Sequence, residues 1–343
     1  MKELPLISVV VPLYNDEEFI GELLDSLIKQ TLKNFEVIIV DDCSTDNGVD
    51  IVKSYHSKFD GRLLLVTLKK NSGGPSVPRN KGIEMSRGKY IFFMDNDDLL
   101  KDTALEILYT AAENFQADVV FCERFFEFKD EDTNKNIRVN ESKSAINQVD
   151  TLMTDNIAER LNDWLNFRFG IMPWQFLYLR DFLIDAEIKF SEIRREDILW
   201  SFKNLCLAKK ILRVVTPCYI HRIRNESLGH KSTKLNSWLG YWMNRTVKGL
   251  KLLEDFMLTI DFFKNNPATR YTIINHWVMG DIQLAQNVCK DIQPYLLKEI
   301  FQSEFKSDLG DNDVLVSYLF SNSVKLLKEL IEAQQKIEKL SNS

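Results

Sequence analysis

The sequence predicts an α/β fold: a mostly parallel sheet flanked by helices, followed by a helical C-terminal domain. Three observations carry this. Up to about residue 120, short apolar runs rich in β-branched residues alternate with segments of helical period, the βαβα order of a sheet covered by helices. The unusual polar residues, Tyr14-Asn15-Asp16, Asp41-Asp42 and Asp95 to Asp98, follow those runs, and such sheets bind ligands beyond the carboxyl ends of their strands. From Leu235 onward the chain reads almost wholly helical.

Each element has its own reason. Ile7 to Val11 is a β-branched run fit for a buried parallel strand. Asp16 to Lys29 spaces Phe19, Ile20, Leu23, Leu24, Leu27 and Ile28 as one helical face, with Asn15 or Asp16 as its cap. Phe35 to Val40 is a second strand, closed by Asp41 and Asp42, and Val49 to Phe59 reads as a helix. Leu63 to Leu68 is a third strand, Arg79 to Ser86 a helix, and Tyr90 to Met94 a fourth strand ending at Asp95. Thr103 to Asn114 is helical and Asp118 to Cys122 extended.

Residues 129–147 are polar without periodicity, as in a surface excursion. Helices dominate from about 151 to 225, and Pro217 to Ile223 is either a late strand or a structured loop. The domain boundary is expected near residue 230, giving a first domain over 1–230, with halves 1–125 and 126–230, and a helical domain over 231–343. Helix breaks fall at Asn265-Asn266-Pro267, Asp291 to Pro294 and Gly310. In the last helix Val316, Leu319, Ser323, Leu326, Leu330, Ala333, Ile337 and Leu340 alternate spacings of three and four. That is a heptad seam, which either packs on its own chain or joins copies into a homo-oligomer.

Composition narrows the function. In 343 residues, 45% are hydrophobic and 27% charged, values that exclude disordered and collagen-like classes. The formal charge of −6 lacks the basic surplus of a nucleic-acid binder. No apolar segment reaches the length of a membrane span, and the N-terminus does not read as a signal peptide. Five widely spaced cysteines without a CxxC pair read as reduced thiols of a cytoplasmic protein.

Four constellations carry chemistry. Asp95-Asn96-Asp97-Asp98 places three carboxylates at a strand end. Hard oxygen ligands at that density suit Mg²⁺ or Mn²⁺, although Asp97 or Asp98 could instead cap a following helix. Asp42 can accept a hydrogen bond from a base or a ribose hydroxyl, or simply close a polar turn. The loop from Lys69 to Asn80, with Asn71, Gly73, Gly74 and Arg79, suits close approach to phosphate or merely connects two elements. Glu196-Asp197 opens a helix, where an acid can act as a general base or complement the helix dipole. Downstream, His221, Arg222 and Arg224 form a local basic surplus that could face an anionic ligand.

The stretches Ser8 to Asn15, Val40 to Asp46, Asn71 to Gly82 and Gly88 to Asp98 resemble, in order and spacing, glycosyltransferase family 2. The match is dense over residues 5–125. It extends sparsely to Phe190-Ser191 and Glu196-Asp197, which look like the family's acceptor-side acidic pair. The Asn71 to Arg79 loop and Asp95 to Leu100 look particularly like bacterial wall teichoic acid glycosyltransferases.

The resemblance implies a GT-A fold, a UDP-sugar donor, Mn²⁺ or Mg²⁺, and inversion at the anomeric carbon. By position, Pro12, Tyr14 and Asp42 would surround the uracil, with Asn71 in the adjoining donor loop and Arg79 near the base or diphosphate. Asp95-Asn96-Asp97 would be the DxD motif, with Asp97 on the metal and Asp95 on the ribose or metal. Asp197 would be the catalytic base, with Glu196 steadying the acceptor. Trp174 would either stack on a sugar or sit in the core.

The expected acceptor is a hydroxyl of a bacterial cell-surface glycan, polymer or lipid-linked glycan, met in the cytoplasm or at the inner face of the membrane. Trp238, Tyr241, Trp242, Arg245, Lys248 and Lys251 would supply a peripheral membrane face, unless they form a bundle core. Two rival functions stand beside this one. A sugar-phosphate nucleotidyltransferase would carry a Gly-rich basic loop after the first strand, where this chain has Pro12 to Asn15. A non-catalytic glycan- or nucleotide-binding protein would have no need of the acids at 42, 95, 97 and 197.

Overall fold

The computed structural model describes residues 4–129, 137–140, 143–193, 196–224 and 248–289. The chain forms two compact units, Met1–Asn225 and Glu226–Ser343.

The first unit opens with β1 (Ile7–Leu13), α1 (Ile20–Ile28), β2 (Phe35–Asp41), α2 (Gly48–Ser54) and β3 (Leu63–Thr67). It continues through α3 (Ser76–Met85), β4 (Tyr90–Phe93), β5 (Leu99–Leu100), α4 (Ala104–Phe115), β6 (Val119–Cys122), β7 (Phe125–Lys129) and β8 (Arg138–Asn140). Then come β9 (Thr151–Leu152), α5 (Ile157–Leu165), β10 (Phe176–Leu179), α6 (Arg180–Asp185), α7 (Glu196–Leu207), β11 (Ile211–Val214) and β12 (Tyr219–Ile223).

Eight strands form one sheet in the order β3-β2-β1-β4-β10-β6-β11-β9. The β3-β2-β1-β4 half is parallel, and β11 is parallel to β6. β10 runs antiparallel to both its neighbours, and β9 is antiparallel to β11. A second sheet, β5-β12-β7-β8, stands beside the first. In β1 and β2 nearly every side chain is buried, as strands covered on both faces require. α3 lies so close to β1 that a Cβ on Gly82 would come within 2.1 Å of Val10 Cγ1. Only glycine fits there.

The structure departs from expectation at four places. α1 begins at Ile20, and neither Asn15 nor Asp16 caps it with a side chain. Asn15 adopts a left-handed conformation (φ 48°) and its Oδ1 accepts from Thr45 N–H at 2.7 Å. Asp98 leads into β5 rather than a helix, so neither Asp97 nor Asp98 is a cap. The segment expected to be mainly helical contributes β9, β10, β11 and β12. The polar excursion is partly an antiparallel pair, β7 with β8. Pro217 to Ile223 resolves as a strand, β12.

The region around β6, β11 and α5 carries buried charge. Glu123, at the end of β6, is wholly buried and pairs with Arg213 Nε of β11 at 2.5 Å. Glu123 also accepts from the backbone and amide of Asn147, while Arg213 Nη2 donates to the carbonyls of Ser144 and Arg168. Arg160 of α5 donates to the carbonyls of Leu205, Ala208 and Lys209, satisfying the free carbonyls at the end of α7.

In the second unit, α8 (Gly249–Met257), α9 (Asp261–Asn265) and α10 (Pro267–Cys289) are helical, with the break at Asn266 where it was expected. The heptad seam and Trp238, Tyr241, Trp242 and Arg245 lie outside the described residues. Among the described residues no helix is long and apolar enough to cross a membrane.

Candidate active site

β2, β1 and β4 are neighbours, so their carboxyl ends bring Asp42, Pro12 with Tyr14, and Asp95 to Asp98 to one edge. Pro12 still lies in β1, opposite Val40. Tyr14 projects beyond it and is 47% exposed. Asp42 is buried and its carboxylate accepts from Ser72 N at 2.9 and 3.1 Å and from Ser72 Oγ at 2.9 Å. Asn71 Nδ2 donates to the Asp42 carbonyl at 3.1 Å, and its Oδ1 accepts from Gly73 N at 2.8 Å. The glycine-rich loop is thus tied to the end of β2.

Arg79 joins the two acidic motifs. Its Nη2 donates to Asp95 Oδ1 at 2.8 Å and its Nη1 to Glu196 Oε1 at 2.7 Å, across a sequence separation of 117 residues. Its guanidinium lies over the Phe190 ring, which in turn stacks on Trp200 at 3.8 Å. Arg79 is buried, with both terminal nitrogens on protein carboxylates. On the same helix, Asn80 Nδ2 donates to Phe190 O and its Oδ1 accepts from Phe190 N, both at 2.9 Å, while Ser76 Oγ donates to Ser191 O at 2.8 Å. One face of α3 therefore grips the segment that leads into Glu196 and Asp197. Asp197, in the first turn of α7, accepts from Ile198 N at 2.9 Å, and its charge acts on Arg79.

The remaining acids of the cluster meet β12. Tyr219 Oη donates to Asp98 Oδ2 at 2.7 Å and accepts from Asp95 N at 3.1 Å. Arg222 donates from its backbone to Asp98 Oδ1 at 2.7 Å, and from its side chain to the Asp97 carbonyl and Glu22 at 2.8 Å each. Arg224 pairs with Asp97 at 2.7 Å and Asp16 at 2.9 Å. Asn96 is half-buried between these acids. His221, Arg222 and Arg224 stood out in the sequence as facing an anion. In the structure the anions facing both arginines are the protein's own carboxylates. Tyr219 gave no signal in sequence, because only the fold brings it to the cluster; Asp16 stood out among the polar residues after the first strand, but its pairing with Arg224 did not. Trp174 is buried at 5% exposure and lies flat against Tyr219 and His221, with centroids 4.4 and 5.4 Å away. That places it in the core.

The electrostatics are unbalanced toward negative charge. Burial and the neighbouring Asp95 push the Asp97 carboxyl above the usual range, and burial with Asp97 and Asp95 pushes Asp98 well above it. Burial raises Asp16 and Glu196 each to about 6, against the pull of Arg224 and Arg79 respectively. Burial opposes the charge of Arg79, but Asp95 and Glu196 outweigh it and hold the guanidinium protonated. Such a site favours an added cation. Among the described residues no group of three or more His, Cys, Asp or Glu side chains forms a ready-made metal cage.

Comparisons with known proteins show the family and the fold. The model of the family described as "Glycosyl transferase family 2" matches residues 8–184. The glycosyltransferase EpsJ of Bacillus subtilis is 32% identical over 227 residues, 66% of this chain and 63% of that protein. The poly(ribitol-phosphate) β-N-acetylglucosaminyltransferase TarP of Staphylococcus aureus is 42% identical over 118 residues, 33% of this chain and 35% of that protein. The chain thus spans less than two thirds of the length of either relative. The crystal structure of S. aureus TarS 1–349 in complex with UDP-GlcNAc superposes with a TM-score of 0.69 at 23% identity, over 96% of this chain and 91% of that one. The two chains share the fold, a mixed, mostly parallel α/β arrangement.

Proposed function

The chain belongs to glycosyl transferase family 2, and from that premise we propose that it moves a sugar from a UDP conjugate to a hydroxyl of a cell-surface glycan or polymer, with inversion. TarP is named for N-acetylglucosamine transfer and an equally similar relative for glucose transfer, so both sugars head the donor panel. The observation that carries the reading is the convergence on Arg79. One side chain ties Asp95 at the end of β4 to Glu196 beside Asp197, so the donor-side and acceptor-side acids face one site.

Asp97 and Asp95 would hold a divalent Mn²⁺ or Mg²⁺, for which hard carboxylates in a negatively loaded site are suited. With no third side chain in place among the described residues, the donor's phosphates would complete the ligand set. Bound there, the ion would neutralise charge on the diphosphate.

The residues of the chain do the rest. Tyr14, Pro12 and Asp42 would receive the nucleoside at the edge of the sheet, with Asn71 and Ser72 shaping the loop beside it. Asn96 would line the same pocket. Asp197 accepts the proton of the acceptor hydroxyl. The new bond forms between that oxygen and the sugar C1 as the bond from C1 to the phosphate oxygen breaks, and UDP leaves with the electron pair. Attack comes from the face opposite UDP, the geometry of an inverting displacement. Glu196, fixed by Arg79, would steady the acceptor.

The test is UDP release from a panel of UDP-sugars with Mn²⁺ or with EDTA. One donor should be hydrolysed slowly, and only with the metal. Asp197→Asn should keep UDP affinity within about twofold while the rate falls about 10²–10⁴-fold. Near-normal turnover in that variant would remove Asp197 from the role. Failure of UDP itself to bind would overturn the donor assignment.

A further inference from the structure

We infer that Arg224 is an internal counter-cation that occupies the Asp97 carboxylate in the donor-free protein and must leave it when a divalent ion binds. The inference rests on the metal assignment proposed above and adds what competes with the metal.

Each acid of the cluster has a resident partner, and the partners differ in kind. Asp95 is held by Arg79, whose side chain is 6% exposed and fixed at its far end by Glu196. Asp98 is turned onto Tyr219 Oη and the Arg222 backbone. Arg222 itself is 2% exposed and locked by Glu22. Asp97 alone meets a more open group: the Arg224 side chain is 27% exposed.

The geometry of that pair is that of a charge contact rather than a fitted hydrogen bond. Arg224 Nε lies 2.7 Å from Asp97 Oδ2, yet its N–H is not aligned with any acceptor among the described residues. Arg224 Nη1 does donate squarely to Asp16 Oδ1 at 2.9 Å. Its guanidinium rests on the face of Phe19 at 4.9 Å. Asp16 and Phe19 thus form a second seat that does not involve Asp97. Arg224 can give up one carboxylate without being stranded.

Two cations cannot share one carboxylate edge at close range without repulsion. Entry of a divalent ion at Asp97 therefore displaces the Arg224 charge from that oxygen. A diphosphate arriving with the ion brings the anion that compensates the displaced arginine. Ion and nucleotide then bind with positive coupling, each raising the affinity of the other by the same factor. The ion alone binds weakly because it must first break the Arg224 contact.

The experiment measures Mn²⁺ affinity of the full chain by titration calorimetry and Mn²⁺ electron paramagnetic resonance, without nucleotide and with saturating UDP. Wild type is compared with Arg224→Met, Arg224→Gln, Arg224→Lys and Asp97→Asn. Without nucleotide, the two neutral variants should bind Mn²⁺ about 5–150-fold more tightly than wild type, the usual span of such coupling, and Arg224→Lys should fall between. With UDP saturating, that gap should close to about twofold or reverse, since Arg224 has then left Asp97. Equal Mn²⁺ affinity of wild type and both neutral variants without nucleotide would overturn the inference. So would a gap that persists undiminished with UDP, because simple through-space repulsion would do the same without any exchange. Asp97→Asn should abolish binding in both conditions. If it does not, or if wild type with UDP binds no Mn²⁺, the metal assignment itself falls and the inference with it, while UDP binding would still stand for the donor reading.

Discussion

The two halves of the first unit hold their loops by different means. On the donor side, short polar side chains clasp backbone: Asp42 takes Ser72 N–H, Asn15 takes Thr45 N–H and Asp46 takes Glu17 N–H. Around β6, β11 and α5, buried ions do the work: Glu123 with Arg213, and Arg160 on the end of α7. The donor loops hang on a parallel sheet whose strands are fixed by dense apolar burial, so each clasp only trims a loop. β6, β9, β10 and β11 are shorter than β1, β2 and β3, and the segments around Asn147 and Arg168 are tied to the sheet through two charged side chains. A clasp that fails leaves a loop loose, whereas a buried ion that loses its partner leaves an unpaired charge in a dry interior.

The most forceful way to break this contrast is Glu123→Ala. It strands Arg213 in the core and should cost about 3–5 kcal/mol of unfolding free energy in urea denaturation, the range for removing one member of a buried pair. The double substitution Glu123→Leu with Arg213→Met should recover much of that loss. Additive destabilisation would show that the pair is not the tie described.

The junction between the halves answers to pH. Glu196 has its carboxyl raised from 4.5 to about 6 in the fold. Its proton is thus held more tightly by the folded than by the unfolded chain. That contribution to stability is complete below pH 4.5 and is lost as pH rises through 6. It amounts to about 2 kcal/mol for a shift of this size. In metal-free protein, Glu196→Gln should flatten the stability profile between pH 4.5 and 6.5. An unchanged slope would mean that Glu196 titrates normally.

The smallest effect is expected on the donor side. Ser72→Ala removes one hydroxyl bond to Asp42 but keeps both contacts from its backbone N–H. It should cost only about 1 kcal/mol and weaken UDP binding only slightly. A loss as large as that of Glu123→Ala would erase the distinction between the halves.

Legibility in the sequence follows the same division. Ile7 to Val11 and Phe35 to Val40 could be read as strands because continuous β-branched runs have few other homes. β10 could not: Phe176 to Leu179 is four apolar residues, too short for periodicity to separate a strand from a helix. The acids at 42, 95, 97, 196 and 197 were visible as residue types at strand and helix ends. Their arginine partners were not assignable, since Arg79 meets Glu196 and Arg224 meets Asp16 only after the sheet has brought distant segments together. The helix cap assigned to Asn15 or Asp16 failed for a related reason. Both side chains are taken by residues remote in sequence, Thr45 and Arg224, which no local pattern announces.

The grip of α3 on residues 190 and 191 has a consequence for how such chains diversify. Asn80 and Ser76 read only main-chain atoms of Phe190 and Ser191, so the joint is indifferent to most side chains at position 191, whereas Phe190 is fixed by Arg79 and Trp200. A foreign segment of the same backbone shape that keeps Phe190, Glu196 and Trp200 could be spliced onto α3 without redesigning the seam. Recombination at that joint would exchange the segment that carries Asp197 while leaving the parallel sheet and its loops untouched.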